Sequence, residues 1–413
     1  MSEQDTKQFT ENLPIIIVGH VDHGKSTLIG RLLCETGNVP QEKFQELQRL
    51  AESEGREFEY SSLLDYLEEE RKEGRTIDIA HTYFQANKRN YIVIDSPGHH
   101  EFLKKMITGA SQAEAAILLI DIQQGICEQT RRHCYILSLL GIEQIAVLVN
   151  KMDLVEYSQS AFGQMTTEIL EELSSLNLKA ADIIPVSAKN GDNIVQTSHN
   201  MPWYTGPTAL STLGGFGKKD IADTHLRFPI QGAFDIDGQT HAVGRIESGV
   251  LKKGQTVHIY PDNKECKVLS IKKFQQEKID EVHAGECVGV LLEGIVPQRG
   301  NVVTDVIPCR VGRSFRAHVF CLENTPLDIN ANFEWKCTTQ EATARIQTIY
   351  NKFDPAFVSI DKSNSKQILP GEVAEVEITL NTDSLYDRFS EIPELGRFVF
   401  EISGNPVAGG VIL

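Results

Sequence analysis

The chain has 413 residues, 23% charged and 41% apolar, a globular composition spread over more length than one core commonly fills. Its net charge of −17 speaks against broad, non-specific nucleic-acid binding, although a local basic patch is compatible with that total. The eight cysteines form no CxxC pair and no zinc spacing with histidine, so they read as reduced packing residues of a cytoplasmic protein.

A polar N-terminus leads into Ile15-Ile16-Ile17-Val18, which predicts a buried strand rather than a signal peptide, and no apolar run is long enough to imply a membrane partner. Directly after that strand stands Gly19-His20-Val21-Asp22-His23-Gly24-Lys25-Ser26-Thr27, and then the opening of a helix at Leu28. This strand, loop and helix order is the context a G-x-x-x-x-G-K-[ST] phosphate loop requires. Its glycines let backbone N–H groups wrap a polyphosphate, Lys25 reaches the outer phosphates, and the Ser26 hydroxyl suits Mg²⁺.

Between Gln41 and Gly74, leucines and Phe44 recur at helical spacing among charges, predicting two amphipathic surface helices. Tyr91-Ile92-Val93-Ile94 is a further strand, followed at once by Asp95-Ser96-Pro97-Gly98-His99. Asp95 suits a carboxylate near Mg²⁺, Gly98 an N–H donor to a terminal phosphate, and His99 the group that orients or polarises an attacking water. Strands are expected at Ala115–Ile120, Ile145–Val149 and Ile183–Val186, with helices near Cys127–Leu139 and Phe162–Leu176. The adjacent His133 and Cys134 read as structural residues of the first of these helices.

This alternation predicts a mostly parallel sheet with helices on both faces and ligand loops at the strands' C-terminal ends. Asn150-Lys151-Met152-Asp153 and Ser187-Ala188-Lys189 both occupy such ends. A short carboxylate at Asp153 can accept from N1–H and the 2-amino group of guanine, a donor pair adenine lacks. Asn150 can bond the base's acceptor edge, and the Lys151 stem can lie along the ring.

Past the flexible stretch Leu213 to Lys219 the pattern becomes β only, with glycines punctuating short strands from Arg245 to Ile259 and polar–apolar alternation in Glu375–Leu380 and Arg397–Ile402. The expected division is residues 1–213, 220–308 and 312–413: a P-loop α/β domain followed by two β-barrels.

The segments Gly19–Thr27, Gly74–Ile79, Asp95–His99, Asn150–Asp153 and Ser187–Lys189 resemble the five signature loops of a translation-factor-type GTPase, and the β-only part resembles that superfamily's second and third domains. The resemblance implies a GTPase that uses GTP and Mg²⁺, with Ser187, Ala188 and Lys189 at the base. It also implies that Thr76 meets Mg²⁺ and the γ-phosphate. Arg75 departs from the family's apolar residue before the switch threonine. That residue gates the catalytic histidine together with a phosphate-loop valine, here Val21. A guanidinium there leaves His99 less restrained, supplies charge to the γ-phosphate, or points to solvent.

Within the superfamily the main expectation is the GTPase subunit of sulfate adenylyltransferase, coupling hydrolysis to adenylyl sulfate formation by a partner ATP sulfurylase subunit. It rests on Thr76–Phe84, Gln129–Ile142, Asn150–Ser158, Asn193–Thr208 with its Trp203-Tyr204-Thr205-Gly206-Pro207-Thr208 element, and Arg227–Gln231. The alternative is a factor resembling elongation factor 1 alpha or elongation factor Tu, with aminoacyl-tRNA and the ribosome as partners. His20, His23, and His100 through Gly109 lean that way. A third reading is a GTP-binding scaffold that does not hydrolyse.

Overall fold

The computed structural model describes residues 12–53, 55, 57–64, 81–95, 113–217, 225–236, 238–273, 276–305, 310–322, 325–354, 359–361 and 366–413. The chain forms two compact units, residues 1–218 and 219–413.

The first unit is built on a six-stranded sheet. In chain order its strands are β1 (Asn12–Gly19), β2 (His81–Ala86), β3 (Arg89–Asp95), β4 (Ala115–Asp121), β5 (Gln144–Asn150) and β6 (Ala180–Pro185), arranged β2-β3-β1-β4-β5-β6. All neighbours run parallel except the β2–β3 hairpin. Every residue of β4 is buried, as expected of a parallel strand covered on both faces. One face packs Ile15, Ile17, Ile117, Leu119 and Leu148 against Leu28, Leu32, Ala209 and Leu213 of the helices Lys25–Glu35 and Ala209–Gly215. The alternate strand residues Ile16, Val18, Leu118, Ile120, Val147 and Val149 are buried too. So are Leu137, Ile169 and Leu173 on the helices Glu128–Leu139 and Gln159–Ser175.

The register sets where chemistry can happen. Gly19 pairs with Leu119, and Asp121 pairs with Asn150, so the C-terminal ends of β1, β4 and β5 lie side by side. Of the two surface helices expected between Gln41 and Gly74, one spans Gln41–Ser53. Of the other, residues 62–64 are helical with Leu63 and Leu64 buried, and the rest of that expectation lies outside the described residues.

The second unit holds two seven-stranded antiparallel sheets. In the first, Thr256–Tyr260 pairs with Lys264–Lys273 and so closes the strand order into a barrel. In the second, Phe333–Cys337 pairs with Gln340–Asp354 to the same effect. Each barrel has its own apolar core, one around Phe228, Val257 and Val290, the other around Trp335, Phe398 and Phe400. A smaller apolar cluster joins them: Tyr260 and Val302 of the first with Leu385, Ile392 and Leu395 of the second. Within this seam Arg227 is 1% exposed and reaches both barrels. It donates twice to Asp387, at 2.7 and 3.0 Å, and to Thr304 Oγ1 at 2.9 Å.

Candidate active site

Between β1 and the helix Lys25–Glu35 the loop turns through two left-handed residues, Asp22 at φ 64° and Gly24 at φ 95°. Glycine is demanded at position 24 for two reasons. The dihedral disfavours any side chain, and a Cβ would sit 2.6 Å from Asn150 Nδ2. Gly19 is equally constrained, since a Cβ there would lie 2.6 Å from the Leu119 carbonyl oxygen of the neighbouring strand. The loop is thus a backbone cradle pressed against β4 and β5.

Lys25 folds over this cradle and donates to the carbonyl oxygens of Gly19 at 2.7 Å and His20 at 2.9 Å. Ser26 beside it is exposed. The two histidines of the loop are structural. His23 is buried, with Nδ1 3.0 Å from the Leu119 carbonyl oxygen and Nε2 3.3 Å from Gln124 Oε1. Desolvation lowers its pKa below the ordinary histidine value. His20 Nδ1 contacts Gln129 Oε1 at the start of the helix Glu128–Leu139.

The two base-loop segments meet the cradle through Asn150, which is 2% exposed. Its Nδ2 donates to the His23 carbonyl oxygen at 2.7 Å, and its Oδ1 accepts from Ala188 N–H at 2.9 Å. Ser187 Oγ donates to Asp153 Oδ1 at 2.6 Å and itself accepts from Asn190 N–H at 3.2 Å, which fixes the Asp153 carboxylate. Lys151, at φ 64°, places its ammonium 2.8 Å from Asp121 Oδ2. The Lys189 side chain points outward to Glu57 at 3.0 Å, so what this residue turns toward the helix is its backbone carbonyl.

The structure therefore brings Gly19–Thr27, Asn150, Lys151, Asp153, Ser187, Ala188 and Lys189 into one region. Asp95 closes β3, whose residue 95 pairs with Ile17 of β1, two positions before Gly19. Arg75, Thr76, Gly98 and His99 lie outside the described residues.

Sequence reasoning missed two supporting residues. Asp121 is buried, accepts from Gln123 N–H at 2.8 Å and holds Lys151. A carboxylate ending the apolar run Ala115–Ile120 was its signal. Arg31 ties the helix Lys25–Glu35 to the Ser-Ala-Lys loop through the carbonyl oxygens of Ala188, at 3.2 Å, and Lys189. Nothing local in the sequence marks it.

The donor set fits a nucleotide's phosphates: an N–H cradle closed to side chains, one lysine and one exposed hydroxyl. Among the described residues no three His, Cys, Asp or Glu gather to hold a metal alone. Among the described residues, the exposed Ser26 hydroxyl is the group that could hold a magnesium ion together with phosphate oxygens.

Three family models match the chain. They are the elongation factor Tu GTP binding domain over residues 10–228, elongation factor Tu domain 2 over 239–307, and the GTP-eEF1A C-terminal domain-like family over 314–413. Elongation factor 1-alpha of Methanocorpusculum labreanum is 38% identical over 412 residues, with 97% of each chain covered. The protein of that name from Pyrococcus horikoshii is 37% identical over 416 residues, covering 97% of this chain and 96% of the relative. That from Thermoplasma volcanium is 37% identical over 413 residues, covering 97% of both.

These matches overturn the expectation of a sulfate adenylyltransferase subunit with an ATP sulfurylase partner. The structure shows that several of its sequence signals serve packing. Trp203 Nε1 donates to the Tyr157 carbonyl oxygen at 3.0 Å, bracing the end of the Asn-Lys-Met-Asp loop. Tyr204 closes its own turn on the Pro207 carbonyl oxygen at 3.0 Å, and Thr208 caps the helix Ala209–Gly215. Arg227 holds the seam between the barrels. None of these roles needs a particular partner.

Proposed function

We propose, from the premise that the chain belongs to the elongation factor Tu and elongation factor 1-alpha family of translation GTPases, that it carries aminoacyl-tRNA to the ribosome and hydrolyses GTP there. The observation that supports this most is the match of relatives named elongation factor 1-alpha along 97% of the chain, both barrels included. GTP and Mg²⁺ are the family's cofactors, and the domain limits of this reading are 1–213, 220–308 and 312–413.

In this mechanism the Gly19–Thr27 backbone binds the phosphates, and Lys25 exchanges the Gly19 and His20 carbonyls for phosphate oxygens. Magnesium, when bound, screens the charge that develops between the β- and γ-phosphates. Asp153, held by Ser187, accepts from N1–H and the 2-amino group of guanine, while Asn150 keeps the base loops fixed to the cradle. Ser26, Thr76 and Asp95 form the metal side, Gly98 donates to the terminal phosphate, and His99 orients the water. Catalysis of this kind is positioning and electrostatic stabilisation rather than covalent chemistry.

GTP turnover by the purified protein, measured alone, with aminoacyl-tRNA and with ribosomes programmed by messenger RNA, tests the proposal. Ribosome-stimulated hydrolysis together with GTP-dependent protection of the aminoacyl ester is the expected result. GTP binding without either effect would overturn the elongation reading.

A further inference from the structure

We propose that Arg31 and the segment around Tyr60 form a relay that sets how fast nucleotide leaves the site. Arg31 is a positioning residue acting on the Ser187-Ala188-Lys189 backbone, and the proposal rests on the reading of that loop as the guanine loop.

The guanidinium has four partners. Nε donates to the Ala188 carbonyl oxygen at 3.2 Å, and Nη2 donates to the Lys189 carbonyl oxygen. Nη1 donates to Tyr60 Oη at 2.9 Å and to Glu35 Oε1 at 3.2 Å, while the guanidinium carbon lies 3.8 Å from the centre of the Tyr60 ring. A planar fork satisfies two carbonyls and a stacked ring together, a geometry that lysine does not reproduce. Because the peptide unit is planar and trans, holding the Ala188 carbonyl fixes the Lys189 N–H on the opposite side. The loop's donors are thereby aimed from behind.

Tyr60 is in turn held from the far side. Its carbonyl oxygen lies 2.0 Å from where a Cβ on Gly30 would stand, so the segment rests directly on the phosphate-loop helix at a position only glycine allows. Its ring lies edge-on to Phe58 at 5.2 Å and near Phe44 at 6.2 Å, and Phe44 belongs to the surface helix Gln41–Ser53. Lys189 Nζ adds an exposed contact to Glu57 on the same segment. A continuous path of contacts runs from the surface helix through Phe44, Tyr60 and Arg31 to the two carbonyls of the base loop. Displacing the helix would free that loop without touching phosphates or magnesium.

Stopped-flow kinetics with a fluorescent N-methylanthraniloyl GDP on the full chain tests this, with thermal melting alongside. Arg31→Ala and Arg31→Lys should both raise the dissociation rate about tenfold with the association rate unchanged, the size expected for losing charged hydrogen bonds. Failure of lysine to rescue separates geometry from charge. Phe44→Ala, on the half-buried outer helix, keeps the test open if the Arg31 variants fold poorly, and should raise dissociation several-fold at near wild-type melting temperature. Dissociation rates within about twofold of wild type in both Arg31→Lys and Phe44→Ala would overturn the relay, since the charged Arg31 contacts alone carry larger effects. Wild-type protein that fails to bind the GDP probe would instead defeat the guanine-site reading, and the relay with it.

Discussion

Asn150 donates to the His23 carbonyl oxygen at 2.7 Å while accepting from Ala188 N–H at 2.9 Å, so one buried carboxamide joins the phosphate cradle to the base loop. Asn150→Ala leaves a carbonyl and an N–H without that partner and should cost the bridged, binding-competent arrangement of the two loops about 1–3 kcal/mol. The expected outcome is GDP affinity weakened by about tenfold to a hundredfold. Isothermal titration calorimetry checks it, and an affinity within about twofold of wild type would count against this bridging role.

Gly24→Ala should harm binding through the same residue. The substitution sets a Cβ 2.6 Å from Asn150 Nδ2 on a backbone at φ 95°. The left-handed strain alone is worth about 1–2 kcal/mol, and displacing Asn150 adds to it. GDP affinity and melting temperature should fall together, read by calorimetry and thermal denaturation.

Arg227→Met should destabilise the barrel pair because it strands the Asp387 carboxylate in a seam where both partners are almost wholly buried. Breaking one half of such a pair typically costs about 3–5 kcal/mol, whereas replacing both halves with apolar residues can be neutral. Urea denaturation should show a lower midpoint for Arg227→Met and substantial recovery in Arg227→Met combined with Asp387→Leu. Equal losses in the single and double variants would show that packing, not the stranded charge, sets the cost.

His133 should make stability fall in acid. Burial first, then the positive charge of Lys25, lowers its pKa from 6.5 to about 3. Its contribution is fully present above about pH 6.5, where the unfolded chain is also neutral. Between about 6.5 and 3 only the unfolded state takes up the proton, so stability declines by about 1.4 kcal/mol per pH unit from this residue. Desolvated His23 acts in the same direction. His133→Gln should flatten the slope between near-neutral and mildly acidic urea titrations, and parallel slopes in the two proteins would remove His133 as the cause.

The sequence by itself determined the parts of this protein whose chemistry is contiguous. A phosphate cradle needs its glycines, lysine and hydroxyl within nine residues, so Gly19–Thr27 is legible as written, as are the base loops at Asn150 and Ser187. Strand periodicity likewise marked the parallel sheet and the change to β-only domains, because burial on one or two faces imposes its own pattern. Tertiary structure alone decided which residues hold those loops in place. Arg31 and Ala188 are far apart in sequence, as are Asp121 and Lys151, and each pair meets only because β1, β4, β5 and β6 lie in succession in one parallel sheet. The same physics explains the misassigned partner. Trp203 and Arg227 stand out in the sequence, yet their hydrogen bonds are spent inside the fold, on Tyr157 and Asp387. A conspicuous side chain shows what it is for only when its partners, distant along the chain, are brought beside it.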